Sequence, residues 1–308
     1  MKRALLISEF LSTPWALMPE RLNAFAGVLG RWMQGESASD ITMAAIQADK
    51  QSRTVKQSSN TNAGGGNIAV LPFYGVVTQR GNMVDDISGT GSASTQRFTQ
   101  SFRDAMADPS VSSILIDIDS PGGSVYGVAE LANEIQQTRG QKNVVAIANS
   151  LAASAAYWIG CAANEFYITP GGEVGSIGVW QAHEDWSAAM TDAGVKTTLI
   201  SAGKFKVEGN PYQPLDEEAQ AFMQSRVDDY YVAFTKAVAK GRSMSIDQVR
   251  NGMGQGRCLG ADAALSENMV DGIMTFDDVV KKMQRDAKST QRGASRLAAA
   301  KRELEIIG

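Results

Sequence analysis

Apolar and polar positions alternate in a repeating pattern along the middle of the chain. Short apolar runs of strand length, at 113–118, 143–148 and 165–169, are separated by stretches with helical spacing at 125–137 and 154–163. Only short turns join these runs. Strands that alternate with helices in this way are typical of βαβ units. The pattern therefore predicts an α/β fold with a parallel sheet covered by helices.

Further elements are predicted on both sides of this region. Before it, a strand over 68–77 is broken by Pro72 and Gly75, and an amphipathic helix covers 95–107. After it, the pattern predicts a helix over 184–193, a strand over 196–200, a long helix over 216–239 and two short helices within 260–284. Asp216 is the expected N-cap of the long helix, and Gly241 is expected after its end.

Polar segments divide the chain into four parts. Residues 1–48 form an N-terminal extension whose apolar helical stripe follows Pro19 and is expected to dock on another protein or subunit. Residues 49–67 are rich in glycine, serine and asparagine and predict a flexible linker. Residues 68–284 form the main domain, and residues 285–308 are a charged tail that we expect to be poorly ordered alone.

Composition narrows the class of protein. The chain has 308 residues, of which 44% are apolar and 20% charged, as in ordinary globular proteins. A net charge of −4 argues against nucleic acid as a partner. The two cysteines suit a reducing compartment. No apolar run reaches the ~18 residues that span a bilayer, and Glu9 and Pro14 interrupt a start that is otherwise like a signal peptide. We therefore expect a cytoplasmic protein without a membrane anchor.

Candidate chemistry falls at the ends of two predicted strands, where α/β sheets bind ligands. Ser154 follows one strand and opens an alanine-rich helix, while Gly122 and Gly123 follow the neighbouring strand. Lys206 lies further along the chain. Such residues serve respectively as nucleophile, oxyanion cradle and base in a serine hydrolase. Each also has an ordinary structural interpretation, as helix cap, turn glycine or surface lysine.

Several further residues could fill the same roles. Ser150 is a rival nucleophile and Lys204 a rival base. His183, the only histidine, would be the base of a Ser-His-Asp triad, with an aspartate to orient it. The candidates for that aspartate are Asp185, Asp117 and Asp119.

Three segments together resemble a known family. They are Asp119-Ser120-Pro121-Gly122-Gly123-Ser124, the stretch from Asn149 to Trp158, and the stretch from Gly203 to Tyr212. In this order and spacing they are similar to the signal-peptide-peptidase A family of Ser-Lys peptidases, which share the Clp protease/crotonase fold. The stretches 14–20 and 175–214 resemble its phage branch, the head-maturation proteases.

The resemblance implies a role for each candidate residue. Ser154 is the implied nucleophile and Lys206 the base, with Ser176 orienting the lysine amine. The implied oxyanion donors are the N–H groups of Gly123, or alternatively Gly122, and of Ala155. Alanines at 155 and 156 stand where the family motif has glycines.

The implied activity is hydrolysis of peptide bonds through an acyl-enzyme. The implied substrates are phage scaffold and capsid proteins, cleaved by a homo-oligomeric ring or dome in the host cytoplasm or within the assembling procapsid. No cofactor or metal is expected, because no Cys/His cluster has metal-ligand spacing and no Gly-rich phosphate loop is present. Two different functions stay open: a crotonase-type acyl-CoA enzyme, and a catalytically inactive capsid-assembly protein.

Overall fold

The computed structural model describes residues 14–18, 61–63, 66–80 and 92–289. Its main sheet is built on three long, apolar, parallel strands, with β6 between β3 and β8. These are β3 (Gly66–Tyr74), β6 (Val111–Ser120) and β8 (Asn143–Ala153). Their apolar residues point to both faces of the sheet and are covered on both, as is usual for parallel strands.

Shorter strands extend this sheet on both sides. β2 (Thr61–Ala63) pairs antiparallel with β3. The other edge is formed by β10 (Glu173–Gly175), parallel to β8, and by β11 (Cys258–Gly260), antiparallel to β10. β9 (Glu165–Ile168) pairs with the first half of β8 and carries β12 (Gly272–Ile273). The predicted α/β fold with a mostly parallel sheet is therefore confirmed.

A second, smaller sheet lies where β3 and β6 end. Its order is β1 (Trp15–Leu17), β7 (Gly122–Ser124), β4 (Val76–Thr78) and β5 (Ser92–Ser94). β1 is antiparallel to β7, and β4 is parallel to both β7 and β5. This sheet thus brings residues near the start of the chain beside the double glycine.

Helices cover both faces of the main sheet. Most of them pack on one face in a single large apolar core, while the last packs on the other face through Val279 and Met283. The helices are α1 (Thr95–Ala107), α2 (Val128–Gln137), α3 (Ala155–Gly160), α4 (Ser187–Asp192), α5 (Glu217–Arg242), α6 (Ile246–Asn251), α7 (Ala261–Ser266) and α8 (276–289).

Several predicted element boundaries were wrong. Residues 196–200 form no strand and are mostly exposed, because no neighbouring strand among the described residues pairs with them. The long helix continues through Gly241 to Arg242, and Ser243 in the left-handed conformation ends it. Gly241 is needed instead for close packing, since a Cβ there would lie 2.2 Å from the Cys161 carbonyl oxygen.

The outer segments differ partly from the predicted division of the chain. Residues 61–63 and 66–67, placed in the linker by composition, belong to β2 and β3. Residues 285–289, placed in the tail, continue α8. The apolar stripe after Pro19 and the rest of the tail lie outside the described residues.

Two partly buried arginines, Arg139 and Arg242, hydrogen-bond to neighbouring segments of the core. Arg139 donates to the carbonyls of Ala162 (3.1 Å) and Cys161 (3.2 Å), which a short helix leaves without intrahelical donors. Arg242 donates to both carboxylate oxygens of Asp271 at 2.8 and 2.9 Å. Burial alone would raise the pKa of Asp271, but the bonds from Arg242 and from the Phe166 N–H outweigh it and lower the pKa.

We predict that Arg242→Ala lowers the free energy of unfolding by ~2–3 kcal/mol, because it leaves the half-buried Asp271 carboxylate without its ion-pair partner. Arg103→Ala is the matched control. Arg103 forms the same kind of bidentate ion pair with Glu134, but its side chain is exposed. Its loss should therefore lower the free energy of unfolding by less than ~1 kcal/mol. Urea denaturation at neutral pH measures both values.

The same pair predicts a pH dependence. The lowered pKa of Asp271 stabilises the fold above the unfolded value of ~3.9, and this stabilisation is lost as the pH falls through the folded pKa. The difference in stability between the wild type and Arg242→Ala should therefore shrink below about pH 4. A difference that stays constant down to about pH 2 would contradict the assigned role.

Candidate active site

Ser154 lies where β8 ends and α3 begins, as the sequence predicts. Its backbone has φ 56° and ψ −117°, a conformation that a residue with a side chain rarely adopts. The Ser154 N–H donates to the Gly175 carbonyl at 2.7 Å, and its own carbonyl accepts the first helical bond, from Trp158 N–H at 2.9 Å. Ser154 is fully buried, and its Oγ has no hydrogen-bond partner among the described residues. A strained serine with an unengaged hydroxyl is typical of a functional residue.

Gly122 packs directly against this serine. Its φ is +89°, and a Cβ built on it would lie 2.9 Å from the Ser154 Cβ and 2.3 Å from the Ala16 carbonyl oxygen. Any side chain here would therefore displace the serine or the strand beside it. The Gly122 N–H donates to the Ser120 hydroxyl at 3.2 Å, so it is already engaged.

Gly123 and Ala155 lie on either side of the same region. Gly123 is in β7, with Ala16 opposite it on one side and Val77 on the other. A Cβ on Gly123 would lie 2.1 Å from the Val77 carbonyl oxygen, so only glycine fits between the flanking strands. Ala155 is the first residue of α3, and its N–H precedes the first intrahelical bond. Both are candidates for oxyanion donors.

Ser176 is the chain neighbour of Gly175, whose carbonyl accepts the Ser154 N–H. It follows Gly175 at the end of β10, has φ 53° and is buried. Its N–H donates to the Arg257 carbonyl at 2.9 Å. The structure therefore brings Ser154, Gly122, Gly123, Ala155 and Ser176 together at one edge of the sheet.

Lys206 is not brought to the site within one chain. It lies in an exposed turn, and since Ser154 Oγ has no hydrogen-bond partner among the described residues, the Lys206 amine is out of its reach. The rival Lys204 is also exposed and forms an ion pair with Glu218 at 2.8 Å. Neither lysine is paired with Ser154, the candidate nucleophile, in this arrangement.

A histidine base is not paired with Ser154 either. His183 Nε2 lies 3.1 Å from the Asn210 carbonyl oxygen and is not bonded to Ser154 Oγ. Asp185 accepts the Ser187 N–H at 2.8 Å, and hydrogen bonding from the Ser187 hydroxyl, together with this N–H, lowers the pKa of its carboxyl group. The rival nucleophile Ser150 is exposed, unlike Ser154.

The strand β1 is a part of the site that the sequence analysis missed. Its residues pair with β7 on one side, and Trp15 exchanges two backbone hydrogen bonds with Trp180 on the other, at 2.8 and 2.9 Å. Trp15, Ala16 and Leu17 are all buried. The segment Pro14–Glu20 stood out only through its resemblance, because three residues carry no periodic pattern.

Two further observations concern ions and membranes. Within the part of the chain that the structure describes, no group of three or more Cys, His, Asp or Glu side chains could hold a metal ion. Nor does any described helix combine the length and the apolar character needed to cross a bilayer.

Comparison with known families assigns the class of this site. The profile of peptidase family S49 matches residues 136–290, about half of the chain, and the chain belongs to that family. The matched range contains Ser154, Ala155, Ser176 and Lys206. The double glycine and β1 precede it.

Individual relatives agree with this assignment. The chain is 30% identical over 301 residues to the "Head-tail preconnector protein GP5" of Enterobacteria phage P21, covering 94% of this chain and 59% of that protein. It is 33% identical over 239 residues to the "Capsid assembly protease C" of Escherichia phage lambda, covering 77% and 53%. A "Putative signal peptide peptidase SppA" of Enterococcus faecium is 25% identical over 258 residues, covering 83% and 74%. The resemblance to this family and to its phage members is confirmed, and the chain spans little more than half the length of the two phage relatives.

We predict that Gly122→Ala lowers any Ser154-dependent hydrolysis of peptides by about 100-fold or more, because the new methyl group would push the Ser154 side chain out of position. Gly171→Ala is the control, since a Cβ there meets no atom within 4 Å. Hydrolysis rates of the two variants, with circular dichroism to verify folding, provide the measurement. Full activity in Gly122→Ala would show that this glycine does not constrain the site.

Proposed function

We propose that this chain is a serine endopeptidase that cleaves peptide bonds through an acyl-enzyme on Ser154. The observation that carries the proposal is the conformation of Ser154. It is buried, has positive φ at a strand-to-helix junction and packs against a glycine that admits no side chain. Membership of peptidase family S49 supports the same reaction class.

The proposed mechanism gives each candidate residue a step. Ser154 Oγ attacks the scissile carbonyl carbon while Lys206 removes its proton. The N–H groups of Gly123 and Ala155 hold the resulting oxyanion. Lys206 then returns the proton to the leaving amine as the C–N bond breaks, and water hydrolyses the acyl-enzyme by the same route. Ser176 orients the lysine amine.

The lysine in this proposal comes from a neighbouring copy of the chain. Lys206 is exposed, and the region around it, from 184 to 222, exposes an unusual set of large apolar side chains. Exposed apolar patches of this kind are typical of protein interfaces. They include Trp186, Val195, Ile200, Phe205, Tyr212 and Phe222, with Ile200 95% exposed. Homo-oligomerisation would cover them and would desolvate the lysine, which favours the neutral form that a base requires.

The proposed substrates are scaffold and capsid proteins of a phage, cleaved during head maturation in the host cell or the procapsid. Support comes from the names of the two phage relatives, a capsid assembly protease and a head-tail preconnector protein. Cleavage of a co-encoded capsid protein by the purified chain, followed by mass spectrometry, tests this part.

Two different functions would give different results. A crotonase-type acyl-CoA enzyme would use the double glycine without a nucleophile, so Ser154 would not form a covalent adduct. An inactive assembly protein would retain the fold but would not react with a fluorophosphonate. The strained backbone of Ser154 favours the peptidase over both.

A mixing experiment tests whether the dyad spans two chains. Ser154→Ala and Lys206→Ala should each be inactive alone, because the two residues act as a unit. Co-expressed in equal amounts, they should recover about a quarter of the wild-type activity, since random mixing supplies a site with both functional partners about one time in four. Lys204→Ala, the control, should remain active by itself.

The result of that mixing separates three arrangements of the base. Recovery places the lysine in a neighbouring chain, and no recovery from a mixed oligomer would show that it acts within its own chain. Loss of activity in Lys204→Ala, with Lys206→Ala active, would transfer the base to Lys204.

The pH profile tests the nature of the base. A lysine base should give a kcat/KM that rises toward alkaline pH, with a limb above the value of ~6.5 expected for a histidine. His183→Ala should keep the same profile. A limb near ~6.5 that disappears in His183→Ala would instead indicate a triad.

A further inference from the structure

Residues 14–18 lie in a groove that is one strand wide, beside the nucleophile. On one edge, Met18 N–H donates to the Pro121 carbonyl at 3.2 Å and Val125 N–H to the Pro14 carbonyl at 3.4 Å. On the other edge, Trp15 and Trp180 exchange backbone bonds at 2.8 and 2.9 Å. We name residues 14–18 the plug strand. Without it, both edges of the groove would present unpaired backbone groups, as needed to bind an extended peptide.

The register places one carbonyl of the plug strand at the proposed oxyanion site. Ala16 lies opposite Gly123. A hydrogen bond joins residues 14 and 125 on one side of this pair, and another joins residues 18 and 121 on the other side. Hydrogen-bonded pairs recur at every second residue of an antiparallel ladder, so the Gly123 N–H faces the Ala16 carbonyl. A Cβ built on Gly122 would lie 2.3 Å from the Ala16 carbonyl oxygen and 2.9 Å from the Ser154 Cβ. The Ala16 carbonyl is therefore close to the Ser154 side chain.

Side chains of the plug strand complete the cover over the site. Ala16 is fully buried, Leu17 is 1% exposed and Trp15 is 6% exposed, while Ser154 itself has no exposed surface. The rings of Trp15 and Trp180 stack with centroids 6.5 Å apart, and Trp180 Nε1 donates to the Leu17 carbonyl at 2.9 Å. A protein substrate cannot approach Ser154 while the strand is in place.

We infer that the plug strand is an internal competitor of the substrate: it occupies the groove as a substrate strand would, keeps a single chain latent and must leave before cleavage. This inference rests on the proposed function of Ser154. The strand lies beside the serine without being cut because one chain holds Lys206 away from it. An incoming strand would supply the same backbone hydrogen bonds, so exchange needs no net loss of them.

The first test locks the strand in place. Trp15→Cys with Trp180→Cys, in a Cys258→Ser background, puts two cysteines at a hydrogen-bonded antiparallel pair, whose ~5.5 Å Cα separation admits a disulfide. The remaining Cys161 is buried, which raises the pKa of its thiol to about 12 and keeps it unreactive. Labelling of Ser154 by a small fluorophosphonate should be at least tenfold slower in the oxidised protein than in the reduced one. Equal rates would overturn the inference.

A second variant loosens the strand instead. Trp15→Ala with Leu17→Ala in the full chain should accelerate labelling, and Val279→Ala with Met283→Ala is the matched control. The control also truncates two buried side chains, but on the opposite face of the sheet, so it should not accelerate labelling. Slower labelling of the folded plug variant would show that the strand supports the site. If active protein began at Leu17, the plug strand would have been cleaved as a substrate, and this result would likewise overturn the inference.

A binding measurement separates this inference from the proposed function. The cysteine pair is placed in a Ser154→Ala chain, and a fluorescent peptide with the sequence of residues 13–19 is titrated by anisotropy. The reduced protein should bind it at least tenfold more tightly than the oxidised protein, whatever the chemistry of residue 154. Equal binding by the two forms would overturn the inference that the plug strand competes with substrate. If binding is as expected but the chains that retain Ser154 show no labelling of it, the proposed peptidase function is overturned instead.

Discussion

The hydrogen bond from the Ser154 N–H to the Gly175 carbonyl holds the candidate site together. It joins the end of β8 to the end of β10 at the point where the chain must turn into α3. A serine with φ 56° is unfavourable by itself, so the surrounding structure has to impose that conformation. The following helix is anchored firmly enough to do so, through the stacked rings of Trp158 and Phe234 at 4.7 Å and the bond from Tyr157 to the Met269 carbonyl.

The parts of the fold that the sequence predicted are those with a strong local pattern. The apolar runs that became β6 and β8 are short enough to favour a strand over a helix, and the glycines after β6 predicted a turn at the end of that strand. The positions of Ser154, Gly122, Gly123, Ala155 and Ser176 at one edge follow from parallel pairing, because the carboxyl ends of neighbouring strands meet there.

The predictions that were wrong depended on contacts distant in sequence. The sequence predicts a strand over 196–200, but a strand needs a neighbour, and none is described beside these residues. Gly241 looked like a helix terminator, although its actual constraint is the Cys161 carbonyl, which belongs to another helix end. β1 is only three residues long, and its partners lie more than a hundred residues further along the chain. No local pattern can report such a pairing.

The long helix α5 has a mechanical consequence for the lysine. At 1.5 Å per residue its 26 residues span about 39 Å, but its deeply buried side chains other than Ala219 belong to the C-terminal half, including Phe234 and Val238. The opposite end carries the Lys206 turn through the Lys204–Glu218 ion pair. The helix is therefore anchored mainly through its C-terminal half. A tilt of a few degrees there would displace the N-terminal end by a few ångströms. Adding or removing one residue in the exposed half would swing that turn by about 100° around the axis, so the length of this half is under geometric constraint even where its side chains face solvent.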